Sequence, residues 1–258
     1  MIKRFLLFLL PGFILFSCSQ QQDGEKEQSG DKNKKKVFRF NQAEGLSSLD
    51  PAQARNQANI WAQSQMYNAL FDFTDDLHEE PELAESWEVS EDGLVYTFNI
   101  KKGIYFHDDP CFPNGEGREV TADDFVYSFK RILNPSTASA GAWIFNDKVL
   151  RESDGSISDT AFKAMGKYKL RIYLNQPFAP FLQILAMPYT FVVPKEAVEK
   201  YGEDFSRSPV GTGPFVFKEW DEGNTLIMLR NDNYWRSDAQ NNQLPYLDAV
   251  QISFIGDK

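Results

Sequence analysis

Cysteine and histidine are scarce in this chain of 258 residues, which has two of each. Cys18 and Cys111 lie far apart, so the sequence carries no framework of disulfide spacings. His78 and His107 belong to no His-x-x-x-His or Cys-x-x-Cys pattern, the spacings typical of zinc sites. The scarcity therefore argues against a disulfide-stapled domain and against a structural zinc site.

Positive charge is scarce in the body of the chain. The formal net charge is −10, although the first 36 residues hold seven Lys/Arg and four Asp/Glu. Residues 37–258 therefore carry 20 basic and 33 acidic side chains. Because nucleic acids and anionic lipids bind basic faces, we expect this body to bind neither.

Long hydrophobic runs are also missing, except near the N-terminus. The apolar stretch from Phe5 to Phe16 follows two basic residues and is too short to cross a bilayer as a helix, which is typical of a signal peptide. The residues Leu15 to Cys18, at the end of this stretch and directly after it, resemble the bacterial lipobox. The lipobox cysteine is lipidated and becomes the mature N-terminus. We therefore expect a lipoprotein signal peptide over 1–18 with lipid on Cys18. The alternatives are an ordinary secretory signal and a chance apolar run.

The next stretch, "SQQQDGEKEQSGDKNKKK" at 19–36, contains no aliphatic or aromatic side chain. Such a composition buries no apolar surface and is typical of a flexible polar linker. The folded body is therefore expected to begin near Val37.

Alternating and helical patterns recur along this body. They predict strands at 37–41, 95–100, 169–174, 189–193, 215–220, 225–230 and 249–255, with a further extended run at 104–106. They predict helices at 58–71, 121–133 and 194–201. Strands scattered among short helices favour an α/β (mixed α+β) fold.

The stretch "IYFHDDPC" at 104–111 joins a histidine, two aspartates and a cysteine, the side chains that bind metals and transfer protons. A metal-dependent hydrolase using His107 and Asp108 is one reading. Neighbours in sequence point in diverging directions, however, which argues against one shared site. We expect Cys111 to be a free, partly buried thiol and His78 to be solvated.

The stretch "GTGPF" at 211–215 invites comparison with a phosphate-binding loop. It lacks the Lys-Ser/Thr pair of such loops, and a predicted strand follows it instead of a helix. The sequence therefore argues against a phosphate-binding loop, and its two glycines permit close approach of backbone.

Four ordered stretches resemble one family, the bacterial extracellular solute-binding proteins of the peptide/nickel type that serve ABC importers. They are "SLDP" (48–51), "ELAESWEVSEDGLVYTFNIKKGIYFHD" (82–108), "VTADDFVYSFKRILNPSTAS" (120–139) and "VGTGPFVFKEW" with "LRNDNYW" (210–235). The oligopeptide-binding branch is the most similar. The resemblance implies a periplasmic-binding-protein-like II fold in which two lobes grip a solute.

The resemblance also implies how the chain is divided. Residues 37–258 correspond to the N-terminal lobe, with an additional subdomain at about 58–165. The sequence ends about where the first crossing strand would leave that lobe, so we expect an N-terminal fragment without the second lobe.

Candidate ligand contacts follow from matching the family's motifs. They are Ala54, Arg55, Asn56 and Gln57 after "SLDP", Gly141 and Trp143 after "NPSTAS", Met187, and Gly211, Thr212 and Gly213. The family pattern has an acid and a glycine where this chain has Arg55 and Asn56. For residues 54–57 the alternative is a plain surface loop, and for Trp143 it is filling of the core.

The resemblance implies a lipid-anchored substrate-binding component that captures oligopeptides and delivers them to a membrane permease. It implies a monomer without cofactor or catalysis, in the bacterial cell envelope, facing the periplasm or exterior. Nickel chelates, haem or oligosaccharides are alternative solutes on the same fold, and a peptide-sensing receptor is an alternative role.

Overall fold

The computed structural model describes residues 35–256. The predicted signal peptide, its Cys18 and nearly all of the predicted linker lie outside these residues. Within 35–256, no helix is both long and apolar enough to span a bilayer.

Ten strands and five α-helices are formed within the described part of the chain. The strands are β1 Val37–Gln42, β2 Phe71–Phe73, β3 Glu79–Pro81, β4 Ala84–Val89, β5 Val95–Ile100, β6 Phe162–Ala164, β7 Lys169–Tyr173, β8 Phe215–Asp221, β9 Thr225–Arg230 and β10 Ala249–Phe254. The helices are α1 Gln57–Gln63, α2 Ala122–Leu133, α3 Trp143–Asn146, α4 Phe181–Ile184 and α5 Lys195–Tyr201.

Two four-stranded sheets organise the fold. The first has the order β1-β10-β9-β8, in which β1 is parallel to β10 and the other pairs are antiparallel. The second is antiparallel, with the order β4-β5-β7-β6, and β2 and β3 form a separate hairpin. The mixture of parallel and antiparallel pairs with short helices confirms the predicted mixed α/β class.

Helix α2 packs on the second sheet because its apolar residues share one face. Phe125 and Phe129 are fully buried there, and Phe129 contacts the rings of Phe145 and Phe162 at 5.1 and 5.4 Å between centroids. At its start, Asp124 accepts hydrogen bonds from the N–H and hydroxyl of Thr121.

Three predicted elements differ from the structure. The helix predicted over 58–71 ends at Gln63, since the carbonyl groups of Gln65 and Met66 accept hydrogen bonds from Phe215 and Gly213 instead. The strand predicted at 189–193 is wrong, because Pro188 begins a 3-10 turn over Pro188–Thr190. The run at 104–106 forms a single bridge, between Tyr105 and Glu119.

Candidate functional site

The "SLDP" stretch forms a buried turn that is fixed by one aspartate. The Asp50 carboxylate accepts the Ala52 N–H at 3.0 Å and caps the 3-10 turn Pro51–Gln53. Its two oxygens also pair with the Arg131 guanidinium of α2, at 2.8 and 2.6 Å. This bidentate contact joins the turn that precedes residues 54–57 to helix α2.

Residues 54–57 leave that turn and enter α1. Ala54 is buried at 2% exposure, whereas Arg55 and Gln57 are exposed. Asn56 caps α1, since its side-chain oxygen accepts the Asn59 N–H at 2.9 Å. The side chains free to meet a ligand are therefore those of Arg55 and Gln57.

The segment around Gly141 packs directly against the "SLDP" turn. The Ala52 carbonyl accepts hydrogen bonds from the Ala140 N–H at 3.2 Å and from the Ser139 hydroxyl at 2.8 Å. A Cβ on Gly141 would lie 2.3 Å from the Tyr189 ring, so only glycine fits there. Trp143, two residues later, is 53% exposed and does not fill the core.

Met187 completes this side of the molecule. It is half-buried and directly precedes the turn Pro188–Thr190, which contacts Pro51–Gln53. The structure therefore brings residues 54–57, Gly141 and Met187 into one neighbourhood, with the exposed Trp143 two residues beyond Gly141.

The Gly211–Gly213 turn lies against a different part of the chain. All three residues are buried, and the Gly213 N–H donates to the Met66 carbonyl at 2.9 Å. A Cβ on Gly211 would lie 2.0 Å from that same carbonyl oxygen. The glycines are thus required by a close backbone approach, as the sequence indicated, but the turn contacts Met66 and Tyr67 and not residues 54–57.

His107 supports this turn from inside the protein. Its N–H donates to the Gly211 carbonyl at 2.8 Å, and its Nε2 lies 2.9 Å from the Gly213 carbonyl oxygen. Since a carbonyl oxygen accepts, Nε2 carries the proton of the neutral ring. Burial lowers the pKa of His107 to about 4, so the ring is neutral at physiological pH.

The other polar residues of "HDDPC" contact separate partners. Asp108 accepts the Gly117 N–H at 2.8 Å, and Asp109 accepts the Tyr201 hydroxyl at 2.8 Å. Cys111 is a half-buried free thiol whose pKa is raised to about 12 by burial and then by Asp109. Across residues 35–256, no three His, Cys, Asp or Glu side chains are grouped so that they could hold a metal ion. His78 is exposed, as expected.

A second buried polar chain reaches the turn through Thr212. The Thr212 hydroxyl donates to the side-chain oxygen of Asn68 at 2.9 Å, and the Asn68 amide donates to Glu82 at 2.5 Å. Glu82 also accepts the Ala69 N–H at 2.8 Å. Burial raises the pKa of Glu82 to about 8, and the nearby Asp72 carboxylate adds to the rise.

A pocket near this neighbourhood was missed by reasoning from sequence. It has a volume of about 310 Å³ and lies between α1 and the turn Pro188–Thr190, with Asp72 and Glu82 in its lining. One signal for this surface was available in the sequence. Four residues that are not fully buried recur at helical spacing, namely Gln57, Ile60, Trp61 and Ser64. Trp61 itself is 50% exposed.

Comparison with known proteins places the chain in a family. The family model described as bacterial extracellular solute-binding proteins, family 5 Middle, matches residues 79–258. The dipeptide-binding protein DppE of Bacillus subtilis is 29% identical over 255 residues, which cover 95% of this chain and 45% of that relative. Heme-binding protein A of Haemophilus influenzae is 30% identical over 274 residues, or 99% of this chain and 47% of that relative.

A solved structure shares the architecture. The periplasmic binding protein DppA from Helicobacter pylori, in complex with the peptide STSA, has a TM-score of 0.71 and 30% identity. The match covers 85% of this chain and 42% of that one, so the chain spans less than half the length of these relatives. The predicted periplasmic-binding-protein-like II fold is thereby confirmed.

Because the family match covers most of the chain and the fold agrees with that of a relative at 30% identity, this chain belongs to the bacterial extracellular solute-binding proteins, family 5.

Proposed function

We propose that this chain contributes the first lobe of the substrate-binding component of an ABC importer that captures oligopeptides. The observation that carries the proposal is the neighbourhood of residues 54–57, Gly141 and Met187, in a chain similar to a binding protein solved with a peptide. The second lobe would close over the solute from the opposite side.

An extended peptide suits this neighbourhood. Such ligands gain affinity from main-chain hydrogen bonds, while side-chain pockets set their specificity. Within residues 54–57, the side chains of Arg55 and Gln57 are exposed and would flank a peptide that pairs with the main chain of this segment. Trp143 offers a half-exposed ring for stacking. Higher affinity for the closed form would then drive lobe closure and docking on a permease, without any change of covalent bonds.

The buried Gly211–Gly213 turn takes a supporting role in this proposal. Its close packing on Met66 and Tyr67 fixes the chain that follows α1. A ligand contact by this turn would have to involve its backbone, because the Thr212 side chain is 1% exposed and bonded to Asn68.

A second candidate solute is haem, since heme-binding protein A is similar over almost the whole chain. Calorimetry on the complete gene product distinguishes a peptide-binding protein from a haem-binding one. A pool of short peptides, haem and an oligosaccharide are used in parallel titrations. We expect heat of binding with the peptides. Saturable binding of haem or sugar alone would contradict the peptide assignment.

We also propose that Cys18 carries a lipid anchor and that residues 19–36 tether the folded lobe to a membrane of the cell envelope. The apolar stretch Phe5–Phe16 and the lipobox-like Leu15–Cys18 support this assignment.

A further inference from the structure

The pocket between α1 and the turn Pro188–Thr190 has apolar walls. Ile60, Tyr67 and Phe191 line it, and the rings of Tyr67 and Phe191 are stacked with centroids 6.0 Å apart. Its volume of about 310 Å³ is roughly ten times the share of one water molecule in the liquid. The cavity therefore has room for a long side chain.

The pocket borders the proposed solute surface. Ile60 of α1 and Ser64, the residue that caps its C-terminus, line the pocket. They lie on the same helical face as Gln57 and Trp61, at spacings of three, four and seven residues. On the opposite wall, Ala186 and Pro188 flank Met187 in the sequence. A peptide lying along residues 54–57 thus has this cavity beside it.

Two carboxyl groups, those of Asp72 and Glu82, belong to the lining, and none of its described residues is Lys or Arg. Asp72 is half-buried and accepts the Phe73 N–H at 2.8 Å, and none of the ion pairs formed within the described chain uses it. Glu82 lies deeper, at 5% exposure, and Arg236 approaches it only to 4.0 Å. Apolar walls that end at an uncompensated carboxylate suit a ligand with an apolar stem and a cationic head.

The surrounding sequence adds the same sign of charge. Residues 72–92 include ten Asp/Glu and no Lys/Arg. Arg236 pairs with Glu80, and the Lys101 ammonium lies at the Glu82 carbonyl, so these two cations offset part of this charge. The remaining excess of acidic side chains favours cations over anions near the pocket.

We propose that this pocket receives a lysine or arginine side chain of the bound peptide, with its stem along Ile60, Tyr67 and Phe191 and its charge at Asp72. This inference rests on the proposed peptide-binding function. It assigns to the site a preference for basic peptides, and it makes Asp72 the residue that determines this preference.

The test uses the complete gene product and calorimetry at pH 7. The probes are five-residue peptides that differ in one side chain, which is lysine, norleucine or glutamate, placed at each position in turn. Norleucine matches the lysine stem without its charge. At one position we expect lysine to bind about tenfold more tightly than norleucine, and glutamate more weakly than either.

The Asp72→Asn variant is expected to reduce the lysine advantage to about twofold or less, while its affinity for the norleucine peptide stays unchanged. That unchanged affinity also reports that the variant is folded. Asp75→Asn is the matched control, because Asp75 is exposed in the turn of the same β2–β3 hairpin and lies outside the pocket lining. It should keep the full advantage.

Two results would overturn the pocket assignment while leaving peptide binding intact. One is equal affinity for lysine and norleucine at every position, and the other is a lysine advantage that persists in Asp72→Asn. Failure of all the peptides to bind would contradict the proposed function itself, and the pocket assignment with it.

Discussion

At the scale of single residues, two buried ionisable groups are connected to one turn. His107 contacts the Gly211 and Gly213 carbonyl groups, and Glu82 is connected to Thr212 through Asn68. Burial favours the neutral form of both groups, so it lowers the pKa of His107 and raises the pKa of Glu82. Their effects on stability therefore change with pH in opposite directions.

Glu82 should make the folded protein less stable as the pH rises. The folded state holds its proton more tightly than the unfolded chain, so the contribution is complete below pH 4.5 and is lost as the pH rises through about 8. The contribution of His107 is complete above pH 6.5 and is lost as the pH falls towards about 4. Below pH 6.5, the contributions of the two groups to the free energy of unfolding change with pH in opposite directions. Between pH 6.5 and about 8, Glu82 is the one of the two whose contribution still changes.

Urea unfolding between pH 6.5 and 8 checks this prediction. In the wild type we expect the free energy of unfolding to fall by up to about 1.4 kcal/mol per pH unit. Glu82→Gln should flatten that slope, whereas Glu85→Gln, at an exposed position of β4, should retain it. An equal slope in wild type and Glu82→Gln would contradict the prediction.

The close approach at Gly213 leads to a second prediction. A Cβ there would lie 2.5 Å from the Met66 carbonyl carbon, so Gly213→Ala should cost about 1–3 kcal/mol of unfolding free energy. Gly45→Ala is the control, because nothing lies within 4 Å of the added carbon. Thermal or urea unfolding of both variants measures the difference, and equal stabilities would rule out the steric argument.

At the scale of elements, strands and helices with strong local signals were predicted from the sequence. An alternating pattern predicted β5, and a helical pattern of apolar residues predicted α2. The overlong helix at 58–71 failed because distant residues, Gly213 and Phe215, take the carbonyl groups that would have continued it. Local periodicity carries no information on such long-range competition.

The candidate site was predictable only in part, for the same reason. Family motifs indicated residues 54–57, Gly141 and Met187, which the fold brings together. The acidic pocket was missed because its lining comes from three separate stretches, 60–67, 72–82 and 186–191. No single stretch of sequence carries a signal for a cavity assembled in this way.

The ion pair between Asp50 and Arg131 joins the "SLDP" turn to α2. The side chains are 9% and 13% exposed, so removing one charge leaves the other buried without its partner. We expect Asp50→Asn to lower the free energy of unfolding by about 3 kcal/mol.

Chemical denaturation measures the loss, with the surface pair Arg207–Glu222 as reference. The side chains of that pair are 46% and 65% exposed, so Glu222→Gln should cost less than about 1 kcal/mol. Similar small losses in both variants would show that the buried pair adds little to stability.

At the scale of the whole molecule, the proposed anchor gives a prediction about location. Cys18→Ser should move the protein from the membrane fraction to the soluble fraction, because the lipid-bearing sulfur is removed. Cys111→Ser is the control and should stay with the membrane, since Cys111 belongs to the folded lobe. Cell fractionation with immunoblotting checks both, and retention of Cys18→Ser at the membrane would contradict the anchor.

The pairing of β1 with β10 has a consequence for biogenesis. The first strand of the folded lobe meets its partner more than two hundred residues later, as in the contact between the side chains of Arg39 and Gln251. Loop closure over such a separation slows folding, so the first sheet stays incomplete until β10 has left the ribosome. The proposed anchor on Cys18 requires export from the cytoplasm, and export benefits from that delay, since early collapse would block passage across the membrane.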